Sequence, residues 1–331
     1  MKKVAVVGAT GLVGRTILKS LHEEECEFDE LYLFSSKKSA GQTVVFRDQE
    51  YIVSELTSES FEKLDIDVTL MSAGSGTSLK YADDILKGSR YLIDNSSAFR
   101  QDPSIPLVVP EVNFDSIRKL NSRIIANPNC STIQLVIPLY FLKKLAPLKK
   151  IIVTALQSVS GSGKKAVEEL KEQSLCSLHG KEIQPKVYND PIAFNIIPRI
   201  GDFGIGGYCE EEIKIMSETN KILDSNLSIC ATTVRVPVFY CHSESVYIEF
   251  SEKVNKDEII KLFNEADSIN YFDDEDYPMP VNFFGRSEVY IGRLRHDMTS
   301  SEKAYKFWVV ADNLKRGAAT NAVRIAKKLL N

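Results

Sequence analysis

The residues Gly8-Ala9-Thr10-Gly11-Leu12-Val13-Gly14 constrain the fold of this chain more than any other stretch. They follow Lys3-Val4-Ala5-Val6-Val7, a β-branched run that reads as a fully buried strand. After them, Leu12, Val13, Ile17, Leu18 and Leu21 recur on one side of a helix. Strand, glycine turn and helix in this order form the context of a dinucleotide site. Glycine lets the backbone approach a pyrophosphate, and the helix N-terminus favours its charge. The spacing is G-x-x-G-x-x-G, a variant of the commoner G-x-G-x-x-G, and the competing reading is a plain strand-to-helix turn with packing glycines.

The next strand, Glu30-Leu31-Tyr32-Leu33-Phe34, runs into Ser35-Ser36-Lys37-Lys38-Ser39. An NAD-specific site usually places an acid here for the ribose 2′-hydroxyl. A carboxylate would repel a 2′-phosphate, whereas Ser36, Lys38 and Ser39 would bind one, so the loop favours NADP over a merely solvated basic turn. Asp67-Val68-Thr69-Leu70-Met71 is a third buried strand, and Ser72-Ala73-Gly74 at its end are small enough for a cofactor to lie close. A helix over 78–87 follows. The strand Tyr91-Leu92-Ile93-Asp94 then leads to Asn95-Ser96-Ser97-Ala98-Phe99-Arg100, where Arg100 is either an anion ligand or a surface arginine. Leu107-Val108-Val109-Pro110 and Ile124-Ile125-Ala126 read as the strands that complete an alternating α/β half.

Ile125-Ala126-Asn127-Pro128-Asn129-Cys130-Ser131-Thr132 is the stretch with the most chemistry. Asn127-Pro128-Asn129 breaks the strand and an apolar helical period starts at Ile133, which sets Cys130 at a helix N-terminus with Asn129 or Ser131 as cap. Unpaired backbone N–H groups and the positive dipole end favour a thiolate and could hold a developing oxyanion. A small buried cysteine is the bland alternative, and the polar flanks argue against it.

Beyond this point the pattern changes. Residues 150–160 read as a long strand containing Gln157, ending in Ser160-Gly161-Ser162-Gly163, with a helix over 166–178. Residues 180–207 are loop-like. Glu210-Glu211-Glu212 open a helix, where acids suit the dipole; alternatively Glu211 and Lys214, at i and i+3, present opposite charges to a zwitterion. Arg235 and His242 flank Pro237. Their odd separation puts them on opposite faces of a straight strand, so a bend or a strand end is required for both to reach one site. Asp273-Asp274-Glu275-Asp276 reads as a solvated acidic turn. Residues 289–295 and 304–310 read as paired strands, and a last helix carries Ala322, Ile325, Ala326 and Leu329 inward.

At 331 residues the chain is long enough for two domains, and 44% hydrophobic with 26% charged residues describes a globular protein. A net charge of -4 supplies no electrostatic reason to bind nucleic acid or an anionic membrane. No apolar run reaches membrane-spanning length and no signal segment follows Met1. Six scattered cysteines without a CxxC pair, and four histidines, imply neither a disulfide framework nor a metal site, so reduced thiols in the cytoplasm are expected.

Taken in order, GATGLVG, SSAFR, NPNCST, SGSGK, EEIK, VRVPVFYCHS and DNLKRGAATNAV make the chain resemble the aspartate-semialdehyde dehydrogenase family along nearly its whole length. Thr233 departs from the pattern, since the family often has cysteine there. The resemblance implies an α/β fold with an NADP-binding Rossmann domain from 1–127 and 312–331. It also implies a catalytic and dimerisation domain over 128–311, built on a large, mostly antiparallel mixed sheet. It implies reversible NADPH-dependent conversion of L-aspartyl 4-phosphate to L-aspartate 4-semialdehyde and phosphate, on the route to lysine, threonine and methionine, by dimers or tetramers. Carried onto this sequence, Cys130 is the nucleophile, His242 the acid/base, and Gln157 orients the intermediate, with Asn129 and backbone N–H groups nearby in the catalytic set. Arg235 clamps the α-carboxylate, Glu211 meets the α-ammonium, and Arg100 and Lys214 hold phosphate. NADP contacts fall on Gly8, Thr10, Gly11, Leu12, Val13, Ser36, Lys38, Ser39, Ser72, Gly74, Ser160, Gly161 and Asn313. An N-acetylglutamyl-phosphate reductase and a non-catalytic NADP-binding sensor on the same fold are the rival readings.

Overall fold

The computed structural model describes every residue except Asp274 and Ser301. Asp274 therefore leaves part of the acidic turn outside the described residues; Asp273, Glu275 and Asp276 are exposed. Two compact units divide the chain, Met1–Asn129 with Gly317–Asn331, and Cys130–Arg316.

The first unit begins with β1 (Lys3–Val7), α1 (Leu12–Glu23) and β2 (Glu30–Ser35). The short β3 (Thr43–Phe46), β4 (Gln49–Ile52) and β5 (Ser54–Glu55) come next, then β6 (Ile66–Met71), α2 (Ser75–Gly88), β7 (Ser89–Asp94), α3 (Ser116–Leu120) and β8 (Ile124–Ala126). Among the described residues its main sheet has the order β5-β2-β1-β6-β7-β8, all parallel. Such a sheet must be covered on both faces, and β1 shows how. Val4 and Val6 pack with Ile17 and Leu21 of α1 and with Ala322 and Ile325 of the C-terminal helix Thr320–Leu330. Ala5 and Val7 pack on the other side with Met71, Phe61 and Ile85. The chain leaves β1 for β2 on one side and returns to β6 on the other. That reversal opens a crevice at the carboxyl ends of β1 and β6.

Two local departures have simple causes. Leu107 makes only an isolated bridge to Ala126, so the expected strand over 107–110 does not form; Pro106 and Pro110 supply no N–H at its two ends. The β3–β4 hairpin, which the sequence reading passed over, turns through Arg47 and Asp48, both at positive φ, without the asparagine–glycine pair that would have announced it.

The second unit opens with α4 (Cys130–Leu142), then β9 (Leu148–Gln157), α5 (Lys164–Leu178), α6 (Glu210–Leu223), β10 (Ser228–Arg235) and β11 (His242–Phe250). It closes with α7 (Lys256–Asn264), β12 (Ile269–Tyr271), α8 (Pro280–Phe283), β13 (Val289–His296) and β14 (Ala304–Ala311). Its sheet is mixed, in the order β10-β9-β11-β14-β13-β12. β10 runs parallel to β9 and β12 to β13, and the other pairs are antiparallel. The helix α4 is apolar nearly all round, and Ile133, Leu135, Val136, Ile137 and Leu139 are fully buried, as expected of a helix enclosed in a core. On the sheet, Ile151, Val153, Val246, Ile248 and Val309 face inward while Lys150, Ile152, Thr232, Ser245 and Lys306 line an open face.

Candidate active site

The register of the second sheet brings three of the expected residues together. Arg235 ends β10 opposite Gln157, the last residue of its parallel neighbour β9. His242 starts β11, which runs antiparallel to β9 with Ser243 opposite Leu156. The strand end at Arg235 removes the parity conflict between Arg235 and His242. Residues 236–241 leave the sheet, and the backbone of 157–160 holds them: Val236 N–H donates to Gln157 O, Val159 N–H to Val238 O and Ser160 N–H to Phe239 O. Cys241, at φ 68, turns the chain back into β11. The expected strand through Ser160 stops at Gln157 for the same reason, because residues 158–160 bond to this returning loop instead of to a neighbouring strand.

Gln157 is buried, and its Nε2 donates to Ser131 Oγ at 2.8 Å and to Glu211 Oε1 at 3.0 Å. Those two bonds use both amide protons and link the first turn of α4, next to Cys130, to the first turn of α6. Cys130 is the first residue of α4 and is half-buried, in the position where a helix N-terminus favours negative charge on sulfur. Asn129 before it is buried. Glu211 is 7% exposed, with Lys214 Nζ 3.6 Å from its Oε2. The capping-helix explanation of the acids therefore fits Glu210 and Glu212, while Glu211 points inward toward Gln157. Glu212 closes a capping box with Cys209 and also accepts from Thr233 N–H at 3.0 Å. Thr233 Oγ1 meets Cys209 Sγ at 3.1 Å, so the residue that departs from the family pattern ties α6 to β10.

His242 is wholly buried. Burial, with the Arg235 guanidinium acting in the same direction, holds its imidazole well below the usual histidine range, so the ring is neutral at pH 7. Ser158 N–H donates to Nδ1 at 3.0 Å, and Ser158 Oγ also lies 3.0 Å from Nδ1. His242 Nε2 has no hydrogen-bond partner among the described residues. Arg235 Nη1 donates to Ser158 O at 2.7 Å. A Cβ on Gly161 would sit 3.1 Å from Arg235 Nη1 and 3.2 Å from His242 Nε2, so the glycine admits a close approach to both side chains. Ser160 and Asn313, expected among the cofactor contacts, are buried beside this group: Asn313 Oδ1 accepts from Ser158 Oγ at 3.1 Å, Ser160 Oγ at 3.0 Å and Cys241 N–H at 3.1 Å. Ser131 was read from sequence only as a possible cap, and Ser158 was missed. Each follows directly after a residue that was singled out, but serine is too common for adjacency to serve as a signal.

In the first unit the candidate cofactor residues are built differently. Gly8, at φ +85, would place a Cβ 2.2 Å from Ser72 O, and a Cβ on Gly14 would lie 2.0 Å from Gly8 O. Only glycine permits this turn. Gly11 precedes α1 without any side-chain cap, so the first N–H groups of the helix are left for an anion. Leu12 and Val13 are half-buried on its first turn. Thr10 Oγ1 bonds Ser35 Oγ at 2.9 Å, joining the turn to the end of β2, where Ser36 and Lys38 are exposed and Ser39 half-buried. Gly74 precedes α2 at φ +83 with open space where a Cβ would be. This uncapped, glycine-lined crevice with hydroxyls and a cation at the β2 end fits a phosphorylated dinucleotide. Arg100 is buried, not a surface arginine, and its Nη2 donates to Asn95 O at 3.0 Å.

Comparison with known proteins gives a consistent set of likenesses. A family profile described as "Semialdehyde dehydrogenase, NAD binding domain" matches residues 3–120, and "Semialdehyde dehydrogenase, dimerisation domain" matches residues 138–316. The aspartate-semialdehyde dehydrogenase of Aquifex aeolicus is 45% identical over 335 residues, covering 99% of this chain and 98% of that protein. That of Bacillus subtilis is 44% identical over 338 residues, covering 98% and 96%. Among solved structures, aspartate semialdehyde dehydrogenase II from Vibrio cholerae superposes with a TM-score of 0.95 at 40% identity, covering 99% of this chain and 98% of that one. Its complex with ASA superposes with a TM-score of 0.94, covering 100% and 98%.

Proposed function

The chain belongs to the aspartate-semialdehyde dehydrogenase family, and from that premise we propose that it interconverts L-aspartyl 4-phosphate and L-aspartate 4-semialdehyde plus phosphate through a thioester on Cys130, with NADP as cofactor. The observation that carries the residue assignment is the convergence of Gln157, Arg235 and His242 at one end of the second sheet, with Gln157 bonded both to Glu211 and to the residue after Cys130.

Each side chain then has a defined task. Cys130 thiolate attacks the acyl carbon, the C–O bond to phosphate breaks, and the thioester remains. Asn129 and the N–H groups that open α4 stabilise the oxyanion of this step. Gln157 orients the acyl group. Arg235 binds the α-carboxylate, for which its planar fork suits two parallel bonds. Glu211 takes the α-ammonium, and Lys214 and Arg100 take the phosphate. When NADP is bound, its nicotinamide supplies or accepts the hydride at the acyl carbon. His242 transfers the proton at the resulting oxygen, and collapse of the thiohemiacetal returns Cys130 as thiolate. Gly8, Thr10, Gly11, Leu12 and Val13 hold the pyrophosphate side of the cofactor, and Ser36, Lys38 and Ser39 its 2′-phosphate. Ser72, Gly74, Ser160, Gly161 and Asn313 complete the set.

A buried carboxylate at Glu211 suits a free ammonium and not an acetylated amine, which favours the aspartyl substrate over an N-acetylglutamyl one. The open face of the second sheet, with Ile152 38% exposed, is the surface through which we propose homodimers form; light scattering on the purified protein measures the assembly. Among the described residues no helix is long and apolar enough to cross a membrane. A reducing, cytoplasmic setting suits a thiolate nucleophile.

The test runs the reaction from the aldehyde side. Protein, aspartate semialdehyde, phosphate and NADP⁺ should give phosphate-dependent absorbance of reduced nicotinamide. N-acetylglutamate semialdehyde should give none, and Cys130→Ser should abolish the signal. An inactive wild type that still binds NADPH would leave the sensor reading standing instead.

A further inference from the structure

The loop that follows α5 is held in place by one face of that helix. Glu169 and Gln173, one turn apart and both buried, turn their side chains onto its backbone. Glu169 Oε1 accepts from Lys186 N–H at 3.0 Å and its Oε2 from Val187 N–H. Gln173 Oε1 accepts from Ile192 N–H at 2.8 Å and Ala193 N–H at 3.2 Å, and its Nε2 donates to Glu169 Oε1 at 2.8 Å. Residues 186–193 are thus pinned at both ends, one pin being a carboxylate with charge-assisted bonds. Tyr188, between exposed Val187 and Asn189, turns inward from this loop and packs against the cluster of Val159, Ala166, Leu170, Ile192 and Ala193.

There it meets Arg235. The guanidinium carbon lies over the Tyr188 ring, 6.0 Å from its centre. Tyr188 Oη is buried, and although Ser162 is its polar neighbour, no hydrogen bond among the described residues satisfies it. Burial pushes the phenol up, with Arg235 pulling the other way, so the group is an O–H donor at neutral pH. Ser162 adjoins Gly161, where a Cβ would stand 3.1 Å from Arg235 Nη1, so hydroxyl and guanidinium meet at the same turn. Arg235 is also incompletely bonded: Nη1 is committed to Ser158 O, while Nε is buried without a partner among the described residues. A buried hydroxyl with no partner carries a desolvation cost that phenylalanine would avoid, so a tyrosine here calls for an acceptor that arrives with a ligand. All these residues belong to the second unit.

We propose that Tyr188 completes the binding of the substrate α-carboxylate: its ring backs the Arg235 guanidinium, and its hydroxyl donates to a carboxylate oxygen that Arg235 holds. This rests on the proposed dehydrogenase reaction and on Arg235 as the carboxylate ligand. Arg235 supplies the charge, and Tyr188 supplies a neutral donor that fixes where one oxygen must lie. A substrate without the carboxylate leaves both groups unpaired, which makes the pair a determinant of specificity.

The test compares full-length wild type, Tyr188→Phe and Tyr188→Leu in the phosphate-dependent oxidation of aspartate semialdehyde by NADP⁺. Tyr188→Phe should raise KM for the aldehyde about tenfold with kcat within about threefold, and KM for NADP⁺ and for phosphate should stay unchanged. Its melting temperature should equal or exceed that of wild type, because an unpaired buried hydroxyl has gone; a role in packing alone would lower it and leave KM in place. Tyr188→Leu, which also removes the ring, should raise KM further. A wild-type KM in Tyr188→Phe overturns the proposal, as does a rise in KM for NADP⁺ or phosphate equal to that for the aldehyde. Should Tyr188→Leu fail to fold, Tyr188→Phe decides alone. Calorimetric titration of aspartate semialdehyde into Cys130→Ala, with and without Tyr188→Phe, should show the same tenfold difference, again about one hydrogen bond to a charged group, in Kd. If wild type turned over no aldehyde, the dehydrogenase reading would fail while this titration still tested the tyrosine.

Discussion

At the carboxyl ends of β1, β2 and β6 the first unit offers mostly backbone: a glycine turn and an uncapped helix start, with exposed Ser36 and Lys38 after β2. At the ends of β9 and β10 the second unit offers side chains, buried and bonded to one another: Gln157 to Ser131 and Glu211, and the Ser158 hydroxyl to His242 and Asn313. The difference follows from what each end has to recognise. A pyrophosphate is a diffuse charge that any set of aimed N–H groups can hold, so geometry can be left to glycine and the helix dipole. A reacting acyl carbon needs groups fixed to a fraction of an ångström, and a side chain is fixed only when a second one holds it. Substitutions in the first region should therefore change cofactor affinity, and those in the second should change rate.

The largest effect is expected at Cys130. Cys130→Ala should lower turnover roughly 10⁴-fold or more while NADPH affinity, read by fluorescence titration, stays within a factor of two of wild type. A comparable loss of cofactor affinity would mean that the two regions are not separable in the way the contrast requires. Arg235→Lys comes next. It keeps the charge but loses the planar fork, and its loss of one charge-assisted hydrogen bond, about 1.5–3 kcal/mol, corresponds to roughly 10–150-fold in kcat/KM for the aspartyl substrate. Unaltered kcat/KM would remove Arg235 from the substrate site. Lys38→Ala tests the other side of the contrast: KM for NADPH should rise about tenfold, with KM for NADH and kcat unchanged. Equal changes for the two cofactors would show that Lys38 does not read the 2′-phosphate.

Much of this contrast was legible in the sequence, and for a physical reason. A buried parallel strand and the glycine turn after it are local features, set by β-branched side chains and by φ values that only glycine adopts easily, so residues 3–14 announce themselves. Cys130 is legible because Asn127-Pro128-Asn129 must break the strand and the apolar period must begin again at Ile133. What the sequence cannot show is which strand ends meet. The neighbourhood of Gln157, Arg235 and His242 depends on a parallel pairing across 78 residues (Arg235 with Gln157) and an antiparallel one across 87 (Ser243 with Leu156), together with a strand end at Arg235. Ser158 acts through its N–H, hydroxyl and carbonyl at once, and two of those groups belong to every residue, so no side-chain pattern marks it.

The smallest effect expected is on stability, and it again sets the two regions apart. Each unit buries a carboxyl at a strand end or near it. Asp94, at the end of β7, is pushed up by burial, but Ser78 Oγ and Ser96 Oγ donate to its two oxygens and oppose that rise. Glu244, two residues past His242 on β11, is fully buried and held well above the usual carboxylate range by burial, with Gln134 of α4 pulling only partly the other way. The native protein therefore keeps the Glu244 proton at pH values where the unfolded chain, ionising near pH 4.5, has lost it. Stability must then fall as pH rises above that value, by at most about 1.4 kcal/mol per pH unit, until the native carboxyl ionises as well. Glu244→Gln keeps the shape and removes the titration. Its urea midpoint should match that of wild type near pH 4.5 and exceed it increasingly toward pH 8. Parallel midpoints across that range would mean that Glu244 titrates alike in the folded and the unfolded protein, and so that the strand carrying His242 does not keep a buried neutral carboxyl.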